Sequence, residues 1–145
     1  MKKQISQNNI TNADNKEFIT RQMKESVKHC YQNDLYFPAL TLICSYIDGL
    51  GEGNKKDYLK NLQTHFPELC TQLGALTFYQ KYRNGIIHEF CMKPDFALDR
   101  NQSMNGQYIQ EYVVSETSQK LTALNIDKLV EDFINWVNKE RNNGA

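Results

Sequence analysis

Phe37-Pro38-Ala39-Leu40-Thr41-Leu42-Ile43-Cys44-Ser45-Tyr46-Ile47-Asp48-Gly49 is the stretch that decides the fold. Leu40, Ile43, Cys44 and Ile47 fall three or four positions apart, the spacing that stacks side chains on one helical face. Most of the other positions are apolar too, so the segment predicts a helix covered on nearly every side and sitting centrally. Pro38 suits its first turn, where no intrahelical amide bond is lost. Gly49, Gly51 and Gly53 break the chain behind it.

A central helix needs partners, and the flanking sequence supplies them. Upstream, Phe18, Met23, Val27, Cys30 and Tyr31 recur at roughly helical intervals. They predict a helix from a cap at Asp14 or Asn15 to about Gln32, closed by a turn at Asn33-Asp34. Downstream, Asn54 caps a third helix, with Asp57 three residues on as a weak capping-box partner. Tyr58, Leu59, Leu62 and Phe66 form its stripe, and Pro67 ends it. Cys70, Leu73 and Leu76 lead into a fourth helix from about Ala75 to Cys91. There Phe78, Tyr79, Tyr82, Ile86 and Phe90 keep the period until Pro94.

The pattern then changes. Tyr108 to Val114 is rich in Tyr, Ile and Val, and Lys120 to Leu124 is a shorter, weaker run. Ser115 to Gln119 reads as the hairpin loop between them, and Phe96 to Leu98 can add a short third strand. Asn125 caps a last helix with Leu129, Val130, Phe133, Ile134 and Val137 on one side. The predicted fold is mostly α: an antiparallel bundle of four to five helices with a small antiparallel β-hairpin inserted before the last helix.

The chain has 145 residues, which fits one domain. Residues 1–13 read as a polar flexible arm, 14–140 as a single helical domain and 141–145 as a tail. An apolar fraction of 40%, with eight Tyr, seven Phe and one Trp, can bury a core without disulfide or metal. Seventeen basic residues balance seventeen acidic ones, which argues against binding nucleic acid through bulk charge and leaves room for a local patch. Lys16, Arg21, Lys24 and Lys28 make the first helix mildly basic, as a solvated face. Cys30, Cys44, Cys70 and Cys91 include no CxxC pair and point to a reduced, cytoplasmic setting. The first residues lack the apolar run of a secretory leader. The longest apolar stretch, Leu35 to Cys44, is too short to span a bilayer and contains Pro38.

The candidate functional centre is Arg83-Asn84-Gly85-Ile86-Ile87-His88 on the fourth helix. Arg83 and His88 are separated by about 7.5 Å along the axis and about 140° around it. A long Arg side chain can still reach over one turn toward a shared pocket. Arg is always charged and its planar fork matches phosphate oxygens. His titrates near neutral pH, so it can take a proton from one oxygen and return one to another. In RNA the 2′-hydroxyl is a built-in nucleophile, so a base and a fixed cation suffice in principle without metal. Gly85 is a poor helix-interior residue and lets a backbone or ligand approach closely.

The stretch Tyr82-Arg83-Asn84-Gly85-Ile86-Ile87-His88-Glu89 resembles the signature of HEPN domains, an Arg, often followed by a polar Asn, Asp or His, with a His after four to six intervening residues. The layout of antiparallel helices with the motif on a late one is similar as well, over most of residues 14–140. The resemblance implies a metal-independent endoribonuclease without cofactor, with Arg83 and His88 as the catalytic pair and Asn84 as the supporting polar residue. It implies a homodimer whose two motifs face each other, RNA as substrate, and a role as a toxin with a cognate antitoxin protein or in phage defence. Lys81 and Tyr82, beside the motif, are candidate RNA contacts. Tyr79 and Tyr82 also sit at core positions, and either can stack on a base. A nuclease should gather Lys81, Arg83 and the first-helix lysines around one cleft.

Plainer readings stand beside these. His88 alone reads as an ordinary histidine, and Arg83 as the partner of an acidic residue that the sequence does not identify. His29 and His65 read as structural, Asp48 and Glu52 beside the glycines as part of a flexible connector or else as cation ligands, and Glu131 and Asp132 as surface charge. No phosphate-binding loop, nucleophile elbow or zinc-protease motif is present. The rival to a nuclease is a non-catalytic module of the same kind, used for dimerisation or protein interaction.

Overall fold

The computed structural model describes residues 12–51, 53–89 and 93–143. The chain is mostly helical with one small three-stranded mixed sheet. Helix α2 (Tyr36–Leu50) runs through the interior, with Ala39, Leu40, Ile43, Cys44, Tyr46 and Ile47 buried. Helices α1 (Asn12–Gln32), α3 (Lys55–His65) and α8 (Ile126–Asn143) pack on it. Tyr46 meets Phe133 and Trp136 edge-on, with ring centroids 5.3 and 5.1 Å apart, which locks α2 against α8.

Helix α1 turns the expected face inward at Met23, Val27, Cys30 and Tyr31, but not at Phe18. Thr20, Met23 and Val27 form its inner line, and the Thr20 hydroxyl meets the Tyr46 hydroxyl at 3.4 Å. Phe18, expected in the core, is 52% exposed. Five residues from Phe18 to Met23 make about 140° of rotation, so Phe18 was out of phase with the rest of its stripe. Residues 1–11 of the polar arm expected at 1–13 and 144–145 of the tail expected at 141–145 fall outside the described residues, as do Phe90 and Cys91, while 12–13 belong to α1 and 141–143 to α8.

Pro67 ends α3 and also opens a further short helix, α4 (Pro67–Gln72), which the expected layout lacked. Proline is tolerated at a helix start for the same reason that it stops one, its missing amide. Gly74, at φ +95°, then turns the chain into α5 (Ala75–Phe78), a conformation that a side chain would strain.

The sheet has the order β1-β3-β2, from β1 (Phe96–Asp99), β2 (Ile109–Val114) and β3 (Gln119–Asn125). β2 and β3 pair antiparallel, from Ile109 with Leu124 to Val114 with Gln119. β1 lies parallel on the other edge of β3, from Phe96 with Thr122 to Asp99 with Asn125. The sheet is therefore mixed and three-stranded: the short strand read at Phe96 to Leu98 is present, and its parallel pairing was not expected. The weaker run, Lys120 to Leu124, is the central strand. Its Ala123, Leu124 and Asn125 are buried against the helices. A short helix, α7 (Asn101–Met104), lies between β1 and β2.

Asn125 joins sheet to helix. Its side-chain oxygen accepts from the Lys128 amide at 3.2 Å and so caps α8. Its amide group donates to Asn101 and to the Gln107 carbonyl, which accounts for a fully buried polar side chain. No helix among the described residues is long and apolar enough to cross a membrane.

Candidate active site

The motif lies on a helical stretch that changes its winding. After α5, Tyr79–Arg83 form a π-helical turn, followed by α6 (Asn84–Glu89). The Asn84 amide donates to the Tyr79 carbonyl, five residues back instead of four. Such single-turn widenings recur at functional sites because they re-aim the side chains they carry. Here the turn is anchored by Tyr82, which is fully buried. The Tyr82 ring stacks on Phe78 and meets Phe96 edge-on, and its hydroxyl donates to the carbonyls of Ala97 and Thr122 at 3.1 and 3.3 Å. Tyr82 thus has no free face for a base, which corrects its candidacy as an RNA contact. The reason is that the sheet, invisible to helical periodicity, closes over it.

Arg83, at the end of the turn, reaches back to α2. Its Nε donates to both carboxylate oxygens of Asp48, at 3.0 and 3.2 Å. Its Nη1 donates to the Asn84 side-chain oxygen at 2.8 Å. The guanidinium also lies 4.8 Å from the Tyr79 ring centroid and 6.0 Å from that of Tyr58. The side chains of Arg83 and Asp48 are only 13% and 18% exposed. Burial alone would ease the proton off Arg83, but the hydrogen bonds and charge of Asp48, with the nearby Tyr79 and Tyr58, together outweigh it and hold the pKa above the ordinary value.

Asp48 is the acidic partner of Arg83 that sequence reading left unidentified. It sits near the C-terminus of α2, where the helix carbonyls disfavour an anion. An acidic residue at the end of an otherwise apolar helix, next to three glycines, was the available signal. It lies in the helix rather than in a connector, and the cation that it holds is Arg83. Glu52 lies outside the described residues. Of the three glycines, Gly51 serves packing and Gly53 takes a left-handed φ of +74°. A Cβ on Gly51 would come within 3.2 Å of the Tyr58 amide, so glycine lets the first turn of α3 close on the end of α2 without a shift of a few tenths of an ångström. That closure brings Tyr58 over Arg83.

His88 lies five residues on, in the last turn of α6, and is exposed. Among the described residues no hydrogen bond joins it to Arg83. Asn84 is half-buried. Gly85 and Ile86 face inward, while Ile87, beside His88, is 42% exposed. The Lys81 ammonium lies 5.9 Å from the Phe96 ring centroid. The first-helix lysines do not all converge on this site, since Lys24 bonds to Asn138 on α8. Burial pushes the Cys44 thiol up to about 12, so it is not a nucleophile at neutral pH. Among the described residues no three His, Cys, Asp or Glu groups stand together as metal ligands.

Away from the motif, a cavity of about 290 Å³ lies between the α3–α4 corner and α8 and is lined by His65, Glu68, Asp132 and Lys139 among others. His65 stacks on Trp136 with centroids 4.1 Å apart. Asp132 accepts a hydrogen bond from the buried Tyr108 hydroxyl at 3.1 Å, so it is not simple surface charge. Burial lowers the His65 pKa, with Glu140 opposing and Lys139 assisting. A lowered folded-state pKa favours the neutral ring. Its contribution to stability is present above about 6.5 and is lost as pH falls through the folded value. Urea unfolding of wild type should therefore weaken relative to His65→Phe, which keeps the stack, as pH drops from about 7.5 to about 5.5. A constant difference across that range would contradict the account.

Compared with protein-family models, curated proteins and solved structures, the chain finds no match.

Proposed function

We propose that Arg83, Asn84 and His88 form the centre of a metal-independent endoribonuclease of HEPN type, on helices that belong to an antiparallel bundle of that family. The observation that carries this reading is the state of the Arg83 guanidinium. Asp48 and Asn84 hold it in one orientation through Nε and Nη1. Of its five N–H donors, three have no partner among the described residues. A guanidinium oriented by two side chains, with donors left over, is pre-organised for phosphate oxygens.

In this reading the exposed His88 imidazole takes the proton of an RNA 2′-hydroxyl. The 2′-oxygen attacks phosphorus, Arg83 stabilises the charge growing on the non-bridging oxygens, and the bond to the 5′-oxygen breaks as that oxygen receives the proton back from the His88 imidazolium. The products are a 2′,3′-cyclic phosphate and a 5′-hydroxyl. Asp48 is a positioning residue that acts through Arg83. Two chains facing each other would bring the His88 of one toward the Arg83 of the other, which suits a pair with no direct hydrogen bond within one chain. The reaction calls for no cofactor. A toxin restrained by an antitoxin protein, or a phage-defence effector, is the setting that the resemblance implies.

The second reading, a dimerisation or protein-interaction module, is favoured by one observation. Leu76 and Ile87, on the same helical stretch, are both large, apolar and exposed. Incubating the purified protein with mixed RNA in EDTA separates the two. The nuclease reading expects fragments ending in 2′,3′-cyclic phosphate. Intact RNA of every kind transfers the proposal to the interaction module.

A further inference from the structure

A groove of about 670 Å³ runs along α3, lined by Lys55, Lys56, Leu59, Lys60 and Gln63. Three ammonium groups border it and no carboxylate does. All three lysines are exposed, and among the described residues none of them is in an ion pair. In a chain of zero net charge this is a local concentration of one sign. It is also unfavourable within the protein. Lys56 and Lys60 are like charges four residues apart, and Lys55 and Lys56 stand in the first turn of a helix, where cations are disfavoured. A polyanion laid along the groove relieves both.

The groove continues toward the Arg83 site. The Lys55 ammonium lies 5.6 Å from the centroid of the Tyr79 ring, and the Arg83 guanidinium lies 4.8 Å from the centroid of that same ring. We infer that this face of α3 binds the phosphate backbone of single-stranded RNA and leads it across Tyr79 to Arg83. The choice of RNA rests on the proposed nuclease function, while the anion preference rests on the lysines alone. A membrane surface fits less well. Leu59 is the one apolar residue of the lining and is half-buried, so nothing stands ready to enter an acyl layer.

The test is fluorescence anisotropy of a labelled oligouridylate with the full chain carrying His88→Ala, so that binding is read without cleavage. The combined Lys55→Gln, Lys56→Gln and Lys60→Gln variant should bind about tenfold more weakly or worse, and should lose about 2 from the slope of log affinity against log salt. An oligocytidylate should show the same loss, since phosphate contacts carry no sequence information. The three side chains are exposed and destabilise the first turns of α3, so the thermal midpoint should not fall and should rise slightly. Equal affinity and slope in the variant, or no binding at low salt, overturns the inference. So does lysine-dependent binding to anionic vesicles in the absence of RNA binding. Should the lysines prove necessary for binding while wild type cleaves nothing, the nuclease reading falls and this one stands. Cleavage with lysine-independent binding gives the reverse.

Discussion

His88→Ala is expected to slow RNA cleavage by about 10²–10⁴-fold while leaving the unfolding midpoint where it was. The two halves of that expectation come from one fact. His88 is exposed at the end of α6, and among the described residues no hydrogen bond holds it. A side chain in that position contributes little to folding, and surface substitutions of this kind stay within about 0.5 kcal/mol. Its loss therefore removes proton transfer and little else. Activity would be followed by the release of labelled fragments under single-turnover conditions, and stability by urea titration. Cleavage at the wild-type rate in His88→Ala would remove the imidazole from the mechanism. A rate loss accompanied by a matching loss of stability would show that the histidine is structural.

Asp48→Ala should destabilise the fold by about 3 kcal/mol, because it leaves the Arg83 guanidinium in a largely closed site without its counter-charge. Coulombic gain and desolvation nearly cancel when a buried pair is made, and the cost appears when only one partner is removed. Replacing both, as Asp48→Leu with Arg83→Met, should then recover most of the loss, since two apolar side chains of similar length fill the same space. The double-mutant cycle, read by urea unfolding, isolates the interaction from the packing of each residue. A single Asp48→Ala variant within about 0.5 kcal/mol of wild type would mean that the pair is worth no more than an exposed one. If the fold survives, cleavage by Asp48→Asn is informative. Asparagine retains an acceptor for Nε, so part of the activity should return relative to Asp48→Ala, a recovery that depends on orienting Arg83.

Some of this was legible in the residues. The apolar run from Leu40 to Ile47 is covered on nearly all sides, as its composition requires. Asn54 accepts from the Lys56 amide at 2.8 Å, and Asn125 caps α8, because a short side chain at that offset satisfies an amide with no other partner. Phe18 was misread because its residue type, rather than its phase, was counted. Tyr82 was offered to RNA because its covering comes from Phe96, Ala97 and Thr122, fourteen to forty positions away. Helical periodicity says nothing about what a distant strand lays on top. The parallel pairing of β1 with β3 was hidden for the same reason, since a crossover joins segments that share no local pattern.

The residues by themselves determined which segments coil, which faces are greasy, where helices begin, and that one arginine and one histidine share a helical stretch. These follow from local geometry, from bond angles and side-chain shape acting over a few residues. Only the tertiary structure decided that Asp48 meets Arg83 across thirty-five positions and that Lys55 reaches the same Tyr79 ring. Charges find partners through space, and the distances that govern their energy exist only after α2, α3 and the π-helical turn have packed.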